Sequence, residues 1–187
     1  MQQLLTLPCS YPFTGNIGTG ESYGPELEIT AKVNRYVTLS VAGDYTVAKV
    51  TSIDPTLAGN TIGATEQLRP GIPALNVPEY SISEAVDLAI PVWDGWKATG
   101  RLSATTTGPF YDIDYYVQRL PSYTIANLRL GLAGERWSGF LYLNNLTNKI
   151  AALTIDTHSW SSPTPAVQQA SVNQPRTVGV ELNYKFN

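Results

Sequence analysis

The stretch TVGVELNYKF, residues 177–186, decides how this chain folds. Val178, Val180, Leu182, Tyr184 and Phe186 are apolar. Thr177, Gly179, Glu181, Asn183 and Lys185 are small or polar. Alternation with a period of two places one set on each face of a β-strand. Working outward, the same period fills 25–33, with Leu27, Ile29, Ala31 and Val33 set against Glu26, Glu28, Thr30 and Lys32. It continues through 36–50, with Val37, Leu39, Val41, Tyr45 and Val47 against Thr38, Ser40, Asp44 and Thr46. Further strands are predicted at 79–92, 96–107, 122–132 and 136–147, and a weaker one near 2–8. Helical periodicity is nearly absent.

The expected fold is all-β: an antiparallel up-and-down meander of about seven or eight long strands. Strands of soluble domains usually run about 5–6 residues. Tilted strands of about 9–11 residues or more are what a bilayer requires. Short links (Asn34-Arg35, Trp93-Asp94-Gly95, Ala133-Gly134-Glu135) alternate with long ones at 9–24, 51–78, 108–121 and 148–174. In a meander all short turns then lie at one end and all long loops at the other. Transmembrane β-barrels share that asymmetry, with periplasmic turns and extracellular loops. One face of each strand meets lipid, and charges such as Glu26, Glu28, Lys32, Asp44, Glu181 and Lys185 fall on the other. Tyr36, Trp93, Trp96, Trp137 and Tyr184 lie near strand ends, where interfacial aromatics belong.

Composition removes other classes. A net charge of −3 and a pI near 5.1 leave no basic stripe for nucleic acid. One cysteine, Cys9, and one histidine, His158, exclude an internal disulfide and multi-histidine or cysteine metal sites. No cofactor is expected. No run of about 18 apolar residues exists for a membrane helix, and MQQLLTLPCSYPF does not read as a signal peptide.

Four stretches, taken in order, resemble the end of the β-barrel of TonB-dependent outer-membrane receptors. Asn16-Ile17-Gly18 followed by Glu21-Ser22-Tyr23-Gly24-Pro25-Glu26-Leu27-Glu28 is similar to the family's N-x-G…G-x-E-x-E stretch, with Pro25 where a Val, Ile or Phe usually stands. Leu120-Pro121-Ser122-Tyr123-Thr124 resembles the opening of a late strand. WSGFLYLNNLTNK, 137–149, resembles the penultimate strand and its N-N-L-T-N-K ending. Gln174-Pro175-Arg176-Thr177 resembles the "PRT" start of the last strand. Phe186, with Tyr184, resembles the terminal aromatic signal read by the barrel assembly machinery, although Asn187 follows it here. The resemblance implies bacterial outer-membrane uptake of a scarce ligand, usually a ferric siderophore. Its partners would be outer-membrane lipid and a TonB complex acting through a plug. Nothing in 1–187 resembles that plug, so the expectation is a C-terminal portion of a receptor barrel, one partial domain.

Candidate ligand contacts are loop residues: Arg69, Tyr111, Tyr115, Tyr116, His158 and Trp160. Aromatic, hydrogen-bonding loop tips suit the capture of bulky ligands, and Lys49, Arg69 and Arg101 are cations that could face an anionic one. Catalysis is not expected: His158 beside Ser159 lacks an orienting acid and a nucleophile turn. Asp112 and Asp114 are too sparse for a calcium loop. The rival expectations are a self-closing eight-stranded outer-membrane barrel and a soluble barrel binding an apolar ligand.

Overall fold

The structure is a computed structural model that describes residues 2–6, 12–16, 18–55, 61–62, 66–67, 69–112, 119–158 and 167–186. Seven strands form one antiparallel meander: β1 (Glu26–Lys32), β2 (Val37–Tyr45), β3 (Tyr80–Trp93), β4 (Trp96–Thr107), β5 (Tyr123–Ala133), β6 (Trp137–Asn144) and β7 (Thr177–Tyr184). Each pairs with the next in chain order. The fourteen residues of β3 extend roughly 46 Å along the strand at about 3.3 Å each. That crosses a bilayer even at a tilt of about 45°.

The registers bring like with like. One row runs Ala31, Leu39, Val86, Leu102, Leu128, Leu143 and Val178, apolar on all seven strands. The next row, one residue along, runs Lys32, Thr38, Asp87, Arg101, Arg129, Tyr142 and Gly179 and lies on the opposite face. A one-residue slip anywhere would turn that strand inside out, so the pattern fixes the register. The apolar face is open: Leu27, Ile29, Leu102, Leu130, Leu141, Val178, Val180 and Leu182 are all exposed. In water so large an apolar area would be an aggregation hazard; in a bilayer it is the surface that acyl chains cover.

One charge breaks that face. Glu84 stands in register between Val41 and Ala104, two residues from Ile82 and Val86 on the lipid side.

The short turns close one end. At the first, Asn34 Oδ1 accepts the N–H of Tyr36 and of Val37 at 2.8 and 3.0 Å, an Asx turn that reverses the chain. At the second, Gly95 sits at φ +70°, and the β3–β4 register shifts beside Trp96. Trp93 and Trp96 pack with ring centroids 6.0 Å apart, and Trp137 and Tyr184 at 4.7 Å. These aromatics mark the short-turn interface.

Three expectations need correction. The run 36–50 is not one strand. β2 stops at Tyr45, and Val47–Ile53 pairs with Gly18–Tyr23 instead. The cause is Pro25, which has no N–H for the ladder, together with Gly24, whose α-carbon lies so close to the Tyr45 carbonyl that a Cβ would be 1.6 Å from its oxygen. Thr46 meanwhile gives its N–H to Glu79 O at 2.8 Å and its hydroxyl to Asp44 at 3.0 Å. Second, Gln2–Thr6 pairs with Pro12–Asn16 as a separate hairpin and does not join the meander. Third, the long connections are not irregular throughout: Phe110–Tyr111 pairs with Arg119–Leu120, and Ala152–His158 with Val167–Val172.

β1 and β7 do not pair with each other, so the described sheet is an open wall. That arrangement is not the self-closing eight-stranded barrel.

Candidate functional site

The long-loop end is a set of hairpins standing on the wall. Val50, Ile72, Phe110, Leu120 and Ala151 are buried in it, the most buried apolar residues among those described besides Ala85. Val50 gives its N–H to Ile72 O at 2.9 Å and accepts from Gly71 N–H at 2.8 Å, binding 69–79 to the Val47–Ile53 strand. Asn76 N–H reaches Tyr111 O at 2.7 Å, and Glu79 N–H reaches Pro109 O at 3.1 Å. Arg119 forms an ion pair with Glu79. Asp112, 2% exposed, accepts the N–H of Ile155 and so ties loop 108–121 to the hairpin of loop 148–174. Three long loops therefore join into one mouth.

The structure places the expected ligand residues unevenly on it. Tyr111 is half-buried and its carbonyl is used by Asn76. Arg69 is exposed, just before the Pro70–Gly71 turn. His158 ends its strand opposite Val167. Arg69, Tyr111 and His158 thus lie on segments that the hydrogen bonds above connect. Tyr115, Tyr116 and Trp160 lie outside the described residues, as do Cys9 and Ser159. Phe186 is exposed and meets Tyr184 edge-on at 4.8 Å, on the lipid side of β7.

Two of the three cations considered in the sequence have partners. Lys49 meets Glu21 at 3.1 Å across the outer hairpin and lies 5.9 Å from the Tyr23 ring centroid. The hydrogen bond to Glu21, then the charge of Tyr23, raise the Lys49 pKa above its ordinary value. The link is therefore complete at neutral pH, persists through lysine's usual titration range and is lost only as pH climbs through the raised value. A nitrogen-detected NMR titration should give Lys49 a midpoint above lysine's ordinary value, and Glu21→Gln should bring it down. An unchanged midpoint in that variant would remove Glu21 as the cause. Arg101 faces the opposite side of the wall from lipid, bound to Asp87 at 2.9 Å.

Asn145 and its neighbours form a structural device that no local sequence pattern signals. Asn145 is 3% exposed at φ +53°. Its Nδ2 donates to Lys149 O at 2.8 Å and Gln174 O at 3.0 Å, and its Oδ1 accepts Lys149 N–H at 2.9 Å. Asn173 Oδ1 takes Ala151 N–H at 2.7 Å, and Asn148 Oδ1 takes Arg176 N–H at 3.0 Å. These asparagines clasp the end of β6 to the start of β7, closing loop 148–174 at its neck. The Asn145-Leu146-Thr147 glycosylation pattern has no meaning here, because that amide is consumed inside.

Comparison with known proteins agrees with this geometry. The family model described as "TonB dependent receptor-like, beta-barrel" matches residues 2–146. The ferric yersiniabactin uptake receptor FyuA from Yersinia pestis superposes with a TM-score of 0.72 at 22% identity, over 94% of this chain and 25% of that one. The siderophore receptor PiuA from Acinetobacter baumannii superposes at 0.68 and 16% identity, over 99% of this chain and 24% of that one. The chain thus spans about a quarter of the length of these two receptors. No curated protein sequence matches it.

Proposed function

The chain belongs to the TonB-dependent receptor-like β-barrel family of the bacterial outer membrane, and from that premise we propose that it forms part of the wall and mouth of a receptor for a ferric siderophore. The observation that carries this reading is the pairing of an exposed apolar face with loop hairpins joined into one mouth. The rest of the barrel and the plug that TonB pulls would come from outside 1–187. The segment's own contribution is to present the hairpin loops to the outside, with Arg69, Tyr111, Tyr115, Tyr116, His158 and Trp160 as ligand contacts. Tyr and Trp supply broad, stiff contact area, and Arg supplies charge for an acidic chelate. Phe186 and Tyr184 serve as the assembly signal. No bond is made or broken.

The test is uptake. Iron-starved cells lacking the receptor gene should lose accumulation of iron-55 from at least one of a panel of ferric siderophores. The restored gene should recover it, and removing TonB should abolish it. Deleting 152–172 within loop 148–174 should remove binding while the barrel still assembles. Uptake unchanged by the gene's loss across the panel would sink the reading.

A further inference from the structure

We propose that the lipid face of β5–β7, at the short-turn end, holds one anionic phospholipid of the adjoining membrane leaflet, with an acyl chain in an apolar groove and the phosphate on Arg136 and Lys185. The site needs only that this face meets lipid, whatever ligand the receptor takes up. The groove starts from a missing side chain. Gly139 on β6 stands in register between Leu132 of β5 and Leu182 of β7, in an apolar row of that face. A Cβ there would meet only the end of the Leu182 side chain, at 3.1 Å. The next row, Leu130, Leu141 and Val180, completes the walls. The result is a shallow groove of about 590 Å³, apolar in its lining apart from Ser138. Trp96 and Trp137 stand at its short-turn end. Both rings are held: Trp137 packs on Tyr184 at 4.7 Å, and Trp96 lies over Gly134, where a Cβ would come within 2.9 Å of it. The four steps from Trp137 to Leu141 run roughly 13 Å along the strand. That is close to half of a hydrocarbon core of about 30 Å, so the groove belongs to one leaflet.

Charge selects the headgroup. The chain as a whole carries −3, yet its short-turn end has the opposite sign: Lys32, Arg35, Lys97, Arg136 and Lys185 against Asp94 and Glu135. Arg136 and Lys185 are the next pair beyond Trp137 and Tyr184, joined by the Lys185 N–H to Arg136 O at 2.9 Å. They therefore stand just past the end of the groove. Both residues are exposed. The four ion pairs among the described residues use other cations, and Glu135 takes part in none of them. A guanidinium forks onto two phosphate oxygens, and an ammonium adds a compact charge beside it. Cations at a membrane surface attract anionic headgroups, and tryptophans settle at headgroup level. A zwitterionic headgroup brings a cation of its own next to Arg136 and Lys185 and gains less. Phosphatidylglycerol has the chemistry that fits: one net negative phosphate, hydroxyls and two acyl chains.

Phosphatidylglycerol is the probe, with phosphatidylcholine of the same chains as its control. The receptor carrying this chain, folded in detergent micelles, is titrated with each, and native mass spectrometry counts the lipid retained. Phosphatidylglycerol should stay bound at concentrations where phosphatidylcholine does not. R136Q with K185Q should remove one retained lipid, an affinity loss of at least about tenfold. G139F fills the groove and should weaken the same lipid at least about fivefold. R35Q, at the first short turn and away from the groove, should change nothing. Heat-modifiable gel migration identifies folded variants. Fluorescence needs no groove variant: in vesicles, brominated phosphatidylglycerol should quench tryptophan more than brominated phosphatidylcholine at equal mole fraction. W96F with W137F should reduce that excess. Equal retention of the two lipids, unchanged binding in R136Q with K185Q or in folded G139F, or a loss in R35Q as large as in the double variant each overturns the site. So does a quenching excess that W96F with W137F leaves intact.

Discussion

Replacing Asn145 with alanine will open the neck of loop 148–174, with an expected cost of about 4 kcal/mol. The side chain is buried and makes three hydrogen bonds to backbone groups of Lys149 and Gln174. Each buried group left without a partner costs about 1–3 kcal/mol. Alanine also lacks asparagine's tolerance for φ +53°, a further cost of about 1 kcal/mol. Asn145→Gly separates the two contributions, since glycine keeps the backbone at ease and loses only the hydrogen bonds. Asn145→Asp should be no better than alanine: its oxygens would face the carbonyls of Lys149 and Gln174, where a donor is needed. Limited proteolysis of folded receptor should cut within 148–174 far faster in all three variants, and heat-modifiable migration should report a weakened barrel. Cleavage at the wild-type rate in Asn145→Asp would show that the clasp is not what holds the loop.

The second large effect inverts ordinary intuition about exposed residues. Val180 is 69% exposed and touches little of the protein. In a soluble protein Val180→Arg would change stability by less than about 0.5 kcal/mol. On a lipid face near the bilayer middle it should cost about 2–4 kcal/mol. Thr99→Arg, on the opposite face of β4 at a comparable height, should cost little, because that side chain can reach water. Refolding into short-chain lipid vesicles, followed by urea titration, measures both. Equal tolerance of the two substitutions would mean that the apolar face does not meet lipid.

The sheet was legible in the sequence for a physical reason. A strand between lipid and water must alternate along its whole length, so Val178, Val180 and Leu182 announce their face without any knowledge of neighbours. The long-loop hairpins carry no such signal. Both faces of a strand such as Val47–Ile53 meet water or other loops, so it read as a continuation of β2, and only Pro25 hinted at the break. Asp112 looked like one more loop acid, since nothing local shows that it is buried against Ile155. The asparagine motif was visible as letters, but its purpose lies in bonds across 29 residues, from Asn145 to Gln174. Among the ligand candidates, Arg69, Tyr111 and His158 fall on described long-loop segments. Arrangement depended on contacts among 69–79, 108–112 and 152–155, which no local pattern encodes.

Glu84 sets a ceiling on the lipid side of β3. Below it the outward residues are Val86, Leu88, Ile90 and Val92, before the Trp93–Trp96 turn. The eight residue-to-residue steps from 84 to 92 correspond to a height of roughly 20 Å at a strand tilt of about 40°. That is shorter than an average hydrocarbon core of about 30 Å and closer to the thinner bacterial outer membrane. This sector of the barrel is therefore matched to thin bilayers. In a thick one, hydrophobic mismatch would force lipids to compress beside β3 or the barrel to tilt towards that side, so the membrane around it need not be symmetric.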